Sequence, residues 1–393
     1  MNEGHHPLPS GERGSILAGG QPALGTTPKS VVQDDPERIE RFRSARRRSA
    51  VLLDTAAEWL PTERVSGCGR KPIGSAVAVH VRDGKAVVVG VPPCGCLWLC
   101  PCCGAVISWQ RRKELNTLLS WARQQGHQVV MLTLTARHHR TMAFSWLLAR
   151  HRAAAKRLKQ SKLWRSLNES IVGHVTATET PCGKNGFHPH THTILILDAP
   201  TEGAALDLFG GLRSIWERAL EREGLDCNDH GFDVRGHAGT GDYIAKWGVA
   251  EELTFSQAKQ GRDSGKGRTP WELLAIGSGL IGDTVFTPAE AKARWLEFAK
   301  AIKGRRQLVW SRGLKARAGI ADIPDEEIVA AVELNPSEEV GRMTASEWWA
   351  VVRAGLRVAL LERVEDQGRA GLEWILAQVR RSPRRRHARE IGT

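Results

Sequence analysis

Three imidazoles stand at alternate positions in His188-Pro189-His190-Thr191-His192. Alternate side chains of an extended chain share one face. Two imidazoles at i and i+2 can bind one divalent ion, and a neighbouring strand can add a third ligand. Glu179 fits that part. The turn-forming stretch Pro181-Cys182-Gly183-Lys184-Asn185-Gly186 predicts a hairpin closing around residue 184. Glu179 then pairs at or near Pro189, within reach of His190. Two of the three imidazoles and Glu179 make a candidate metal set. Two imidazoles and a carboxylate leave coordination positions open, as a catalytic ion requires. His188 shares the face one step further from the strand centre. The bland alternative is a solvated His-rich strand end, but the same face runs on into apolar Ile194 and Ile196.

The second chemical signal is Tyr243-Ile244-Ala245-Lys246, which contains the single tyrosine of the chain. On a helix, residues three apart share a face, so a phenol and an ammonium point the same way. A phenol of pKa about 10 is ionised to roughly one part in a thousand at neutral pH. A nearby cation favours the phenolate. The spacing alone is common, and a surface helix with an inward aromatic would also produce it. Arg137, His138 and His139 follow an apolar strand, where site residues often lie, although a solvated loop reads the same way.

Six of the eight cysteines fall between Cys68 and Cys103. Cys100 and Cys103 have the spacing of a metal knuckle, and Cys96 with Cys100 is also acceptable. The predicted structural Zn²⁺ set is Cys68, Cys96, Cys100 and Cys103, with Cys94 as the alternative to Cys68. Free thiols are the plain alternative. Cys182 and Cys227 look isolated.

These groups need elements to position them. Residues 1–36 read as a disordered arm. Residues 37–126 read as a helix (37–60), a Cys-rich segment (66–104) and a second helix (105–125). From 127 to 318 the pattern turns to strands at 128–135, 171–180 and 188–197. Basic and amphipathic helices at 143–168 and 203–223 fall among them, and another begins near Asp242. That order suits an α+β domain with an antiparallel sheet. A polar, basic loop spans 256–269. Thr287, Pro288 and Glu290 form a capping box that opens a helix to about Lys303. Thr344 with Glu347 opens another over 347–365. Residues 319–380 read as a helical extension, and 381–393 as a basic tail.

The chain has 393 residues and 56 Lys and Arg against 43 Asp and Glu, a net charge of +13. Such an excess points toward a polyanion such as DNA or RNA. The arginines of 44–48 and 380–389 are candidates for duplex contacts, although solvated runs are commoner. No apolar run reaches the roughly 18 residues of a membrane span, and a cytoplasmic location is expected.

In combination these features resemble HUH endonucleases. Residues 131–135 (MLTLT), an acidic residue, then 186–197 (GFHPHTHTILIL) and 243–247 (YIAKW) occur in the order of that superfamily. More narrowly, the chain is similar to the single-tyrosine replication initiators (Rep proteins) of rolling-circle plasmids. Three more stretches fit: Cys96 to Cys103, Thr269-Pro270-Trp271-Glu272-Leu273-Leu274, and Trp310-Ser311-Arg312-Gly313-Leu314-Lys315. The resemblance covers about residues 65 to 315.

The resemblance implies an HUH-type antiparallel sheet flanked by helices. It implies Mg²⁺ or Mn²⁺ on His190, His192 and Glu179, and Tyr243 as nucleophile toward single-stranded DNA. A 5′-phosphotyrosine and a free 3′-OH primer would result, with Lys246 at the phosphate. Single-stranded and duplex origin DNA would be partners, with a host helicase and polymerase. Two departures stand out. Thr191 replaces the usual hydrophobic residue between the metal histidines. Gly239 replaces the glutamate four residues before the tyrosine, leaving Asp242, Glu251 and Glu252 as candidates for that role. With one tyrosine, the chain cannot be a two-tyrosine initiator. A single-tyrosine transposase and a non-enzymatic zinc-ribbon nucleic-acid-binding protein remain as alternatives.

Overall fold

A computed structural model describes residues 36–236, 267–331 and 337–381. The chain opens with helix α1 (Pro36–Trp59) and a hairpin of β1 (Ala76–Arg82) and β2 (Lys85–Val89). Helix α2 (Pro101–Gln124) leads into β3 (Gln128–Thr135), followed by α3 (Phe144–Lys159) and β4 (Ile171–Glu179). A two-residue ladder of β5 (Cys182–Gly183) and β6 (Gly186–Phe187) turns the chain into β7 (His190–Leu197). Then come α4 (Leu212–Glu221), β8 (Phe232–Gly236), α5 (Pro270–Gly277), α6 (Pro288–Ile302) and β9 (Leu308–Trp310). The C-terminal part holds β10 (Glu338–Thr344), α7 (Ala345–Arg353), α8 (Arg357–Gln367) and α9 (Arg369–Arg381).

The central sheet is antiparallel, in the order β8-β3-β7-β4-β9. Strands β3 and β7 are nearly continuous apolar runs because both their faces are covered. Val130, Leu132, Leu134, Leu195 and Leu197 face α3 and α4 through Leu147, Ala154, Leu158 and Trp216. Met131, Val175, Ala177, Ile194 and Ile196 face α2 through Leu115, Leu118, Leu119 and Ala122. The α+β architecture expected from the element order is what forms.

Helix boundaries shift where local chemistry interrupts the apolar period. The helix expected over 143–168 stops at Lys159, because the Ser161 side chain accepts from Trp164 N–H and starts a new turn. The 203–223 helix divides into Glu202–Asp207 and α4 around Gly210-Gly211. The 347–365 helix divides at Gly355, whose φ of 70° a side chain would resist. The capping boxes at Thr287 and Thr344 form as expected, and Thr269 with Glu272 makes a third.

A second, three-stranded sheet has the order β10-β1-β2. Its strands come from opposite ends of the chain, so the C-terminal extension is not purely helical. Val77, Val79 and Ala86 pack with Met343, Trp348, Leu360, Ile375 and Val379 in one core. Ion pairs fasten α1 to α8: Arg43 to Asp366 (2.5 Å), Arg46 to Glu365 (2.6 Å) and Arg47 to Glu362 (2.9 Å). Arg46 and Arg47 of the basic run thus pair with carboxylates of α8.

Buried histidines make folding pH-dependent, His151 among them. His151 lies fully inside α3, with Nε2 3.1 Å from Leu134 O and its ring edge-on to Trp216. Burial pushes its pKa down to about 4. The unfolded chain therefore takes up the proton first. The contribution is complete above about pH 6.5, falls as pH drops toward 4, and then levels off. For a shift of this size the loss is about 3 kcal/mol. Urea unfolding between pH 7.5 and 4.5 should show such a slope, and His151→Gln should make it shallower by its own share, with buried His174, His188 and His190 supplying the rest. An unchanged slope would refute the assignment.

Candidate metal sites and the replication-protein resemblance

The three-histidine segment enters the central sheet at His190. Thr135 and Glu179 flank His190 on β3 and β4, and Thr133 and Ala177 flank His192. Residues opposite or two apart share a face, so His190, His192 and Glu179 all emerge above Ile194 on the α2 side. The hairpin that brings Glu179 there turns at Lys184-Asn185, as the sequence predicts, with Glu179 directly opposite His190.

His192 Nε2 lies 3.2 Å from Glu179 Oε2, and its Nδ1 lies 3.1 Å from Thr133 Oγ1. A hydrogen bond on the second ring nitrogen fixes the orientation of a ligating imidazole. The His190 ring stacks above His192 at 6.0 Å and 7°. Its Nδ1 is buried and has no hydrogen-bond partner. Burial pushes the pKa of His190 down to about 4 and that of His188 to about 3, Glu179 partly offsetting the first. Both rings are neutral at neutral pH and keep a lone pair. A buried, unpartnered imidazole nitrogen beside a carboxylate suits a divalent ion.

Thr191 points to the opposite face, where it is buried beside His151 with Oγ1 3.4 Å from Nδ1. The departure from the family pattern therefore does not touch the histidine face. His188 stacks on His138 (4.2 Å, 22°) and packs against the tilted ring of His190 (4.1 Å, 52°). Tyr243 and Lys246 lie outside the described residues, as do Gly239, Asp242, Glu251 and Glu252.

The cysteines gather more tightly. Cys68, Cys94, Cys100 and Cys103 are buried, with donor sulfurs all within 4.8 Å of one another. Among the described residues no other group of three or more His, Cys, Asp or Glu closes so far, and His190, His192 and Glu179 remain looser. Sulfur separations are 3.5 Å for Cys100 to Cys68 and 3.7 Å from Cys103 to both Cys68 and Cys94. A tetrahedral tetrathiolate with bonds of about 2.3 Å has edges of about 3.8 Å, so the cluster could hold one metal ion.

This corrects the predicted ligand set, in which Cys96 stood in place of Cys94. Gly95, at φ 63°, turns the chain so that Cys94 Sγ points inward. Cys96 N–H then donates to that sulfur at 3.4 Å, while the Cys96 thiol turns back toward Cys94 O. Cys103 N–H donates likewise to Cys100 Sγ. Cys96 contributes its backbone to the knuckle instead of its sulfur. The turn residue between the two cysteines was the signal that could have decided between them. Cys182 and Cys227 stand apart from the cluster, as expected.

The fold and its two groups of donors describe an α+β protein with a cysteine cluster beside a histidine-bearing antiparallel sheet. Comparisons with known proteins agree with the resemblance drawn from motif order. Residues 93–200 match the family described as "Replication protein". That segment holds Cys94 to Cys103, β3, β4 and the histidines. The chain is 28% identical to "Protein rep" of Streptomyces lividans over 75% of this chain and 80% of that protein. It is 29% identical to "Neomycin resistance protein" of Streptomyces cyanogenus, over 34% of this chain and 36% of that one. No solved structure shows a significant match.

Proposed function

We propose that this protein is a plasmid rolling-circle replication initiator that nicks and rejoins single-stranded origin DNA through Tyr243. The observation that carries the reading is the face shared by His190, His192 and Glu179 at one end of the central sheet, with a buried, unpartnered His190 Nδ1. The replication-protein match across the segment containing both histidines supports it.

The residues divide the work. His190, His192 and Glu179 would hold Mg²⁺ or Mn²⁺, which supplies Lewis-acid polarisation of the scissile phosphate. Thr133 fixes the His192 ring. The Tyr243 oxygen forms a bond to phosphorus as the bond to the 3′ oxygen breaks. The phenol loses its proton and the departing 3′ oxygen gains one. The chain keeps the 5′ phosphate as a phosphotyrosine and leaves a 3′-OH that can prime synthesis. Lys246, three residues on from Tyr243, would neutralise the phosphate. The cysteine cluster would hold a structural Zn²⁺, since four thiolates leave no open position. Duplex origin DNA, a host helicase and a polymerase complete the expected partners.

The test separates cleavage from binding. His190→Ala with His192→Ala should remove Mn²⁺-dependent cleavage of single-stranded origin DNA, by about 10³-fold or more for lost electrostatic stabilisation. DNA retention in a gel shift should be unchanged. Undiminished cleavage would rule out this site.

A further inference from the structure

We infer that His138, on the loop after β3, is a positioning residue whose ring holds His188 against His190 and so orients His190 for metal binding. The inference rests on the metal reading proposed above. Strand β3 ends at Thr135, opposite His190, so the chain beyond it runs beside the residues that precede His190. That places His138 against His188. The two rings stack at 4.2 Å and 22°, and His188 in turn contacts the His190 ring at 4.1 Å and 52°. A near-parallel stack turns the π face of His138 toward His188, so packing is what this contact supplies.

His190 needs such a support. It is the first residue of β7, where ladder pairing begins, and its Nδ1 has no hydrogen bond to fix the ring. His192 below it is held by Thr133, whereas His190 meets the His188 backbone and the rings of His188 and His192.

The support is itself anchored from several sides. Arg137 N–H donates to Asp226 O at 2.8 Å, and Met142 N–H donates to His139 O at 2.9 Å. Arg294 donates to Arg140 O at 3.2 Å. His188 N–H donates to Pro181 O at 2.8 Å. The loop also presses on the β5–β6 turn at Gly186, which has φ 93°. A Cβ there would stand 3.3 Å from Arg140 Cα and 3.5 Å from His139 O. The neighbouring Phe187 stacks on Phe144 of α3 at 4.2 Å. Loop, turn and helix thus clamp the segment just before His190.

The test reads metal binding directly. Full-length protein, prepared with Zn²⁺ so that its cysteines are filled, is titrated with Mn²⁺ and followed by electron paramagnetic resonance. His138→Ala should weaken Mn²⁺ binding about 10-fold, the low end for loss of a residue that orients a ligand. His138→Phe, which keeps an aromatic face without ring nitrogens, should bind within about 2-fold of wild type, as a stacking role requires. Wild-type affinity in His138→Ala would overturn the inference, whatever happens to its melting temperature. Binding as weak in His138→Phe as in His138→Ala would also overturn it, because a ring nitrogen would then be at work. His190→Ala separates the two levels of the argument. If wild type binds no Mn²⁺, or His190→Ala binds as well as wild type, the metal reading fails and takes this inference with it.

Discussion

Tyr243→Phe should abolish the covalent protein–DNA adduct and reduce nicking by roughly 10⁴-fold or more, the scale of losing a nucleophile. The expectation follows from counting. The chain has one tyrosine, so no second phenol can substitute within the molecule. The substitution removes one oxygen and preserves the ring. Labelled single-stranded origin DNA, Mn²⁺ and a denaturing gel give the readout: a protein-sized labelled band for wild type only. Adducts from both proteins would move the nucleophile to another side chain. Adducts from neither, across a broad pool of sequences, would favour a protein that binds nucleic acid without cutting it. The outcome is independent of His190→Ala with His192→Ala, which leaves the nucleophile in place and removes its electrostatic help.

The histidine face was legible because two local signals agreed. Alternation fixes which residues of a strand share a face. The Pro181–Gly186 turn fixes the register, and the observed pairing of Glu179 with His190 lies one residue from Pro189. Strand β3 was read with its observed limits because β-branched residues filled both its faces. The β1–β2 hairpin was not read, although Val77, Val79 and Val81 alternate up to an Asp83-Gly84 turn. An Asp-Gly pair between alternating apolar residues is a strong hairpin signal, but the surrounding cysteines drew the whole segment into one metal module. Strand β10 was harder to see. Glu338 to Thr344 has few apolar residues and pairs with a strand about 260 positions earlier, which no local window contains. His138 was read as a candidate at a strand end, but its contact with His188 was beyond sequence reasoning, because that residue is 50 positions away and meets it only through the β3–β7 register. The cysteine error had a local cause. Spacing rules admitted both Cys94 and Cys96, and only the turn at Gly95 separates them.

That separation gives the second large expected effect. Cys94→Ser should lower bound zinc from one ion per chain toward none and unfold the N-terminal module, whereas Cys96→Ser should retain both metal and fold. Structural zinc in small modules contributes about 10–16 kcal/mol of apparent binding free energy at neutral pH. A typical domain has a total stability of about 5–15 kcal/mol. Losing even part of the zinc contribution is therefore enough to open this region. The consequence should spread, because Cys68, Cys94, Cys100 and Cys103 share one core with Phe144, Phe187, Leu273 and Trp295. Phe187 precedes His188 directly, so the histidine face should loosen when the cysteine cluster is lost. Metal analysis by mass spectrometry and thermal melts of both variants provide the check, with a strong chelator on wild type as a third arm. Chelation should reproduce Cys94→Ser if the ion, and not the thiol, carries the stability. Equal zinc content in the two variants would refute the assignment of Cys94. A wild type isolated without zinc, and melting unchanged after zinc is added, would show that four close sulfurs pack here as thiols.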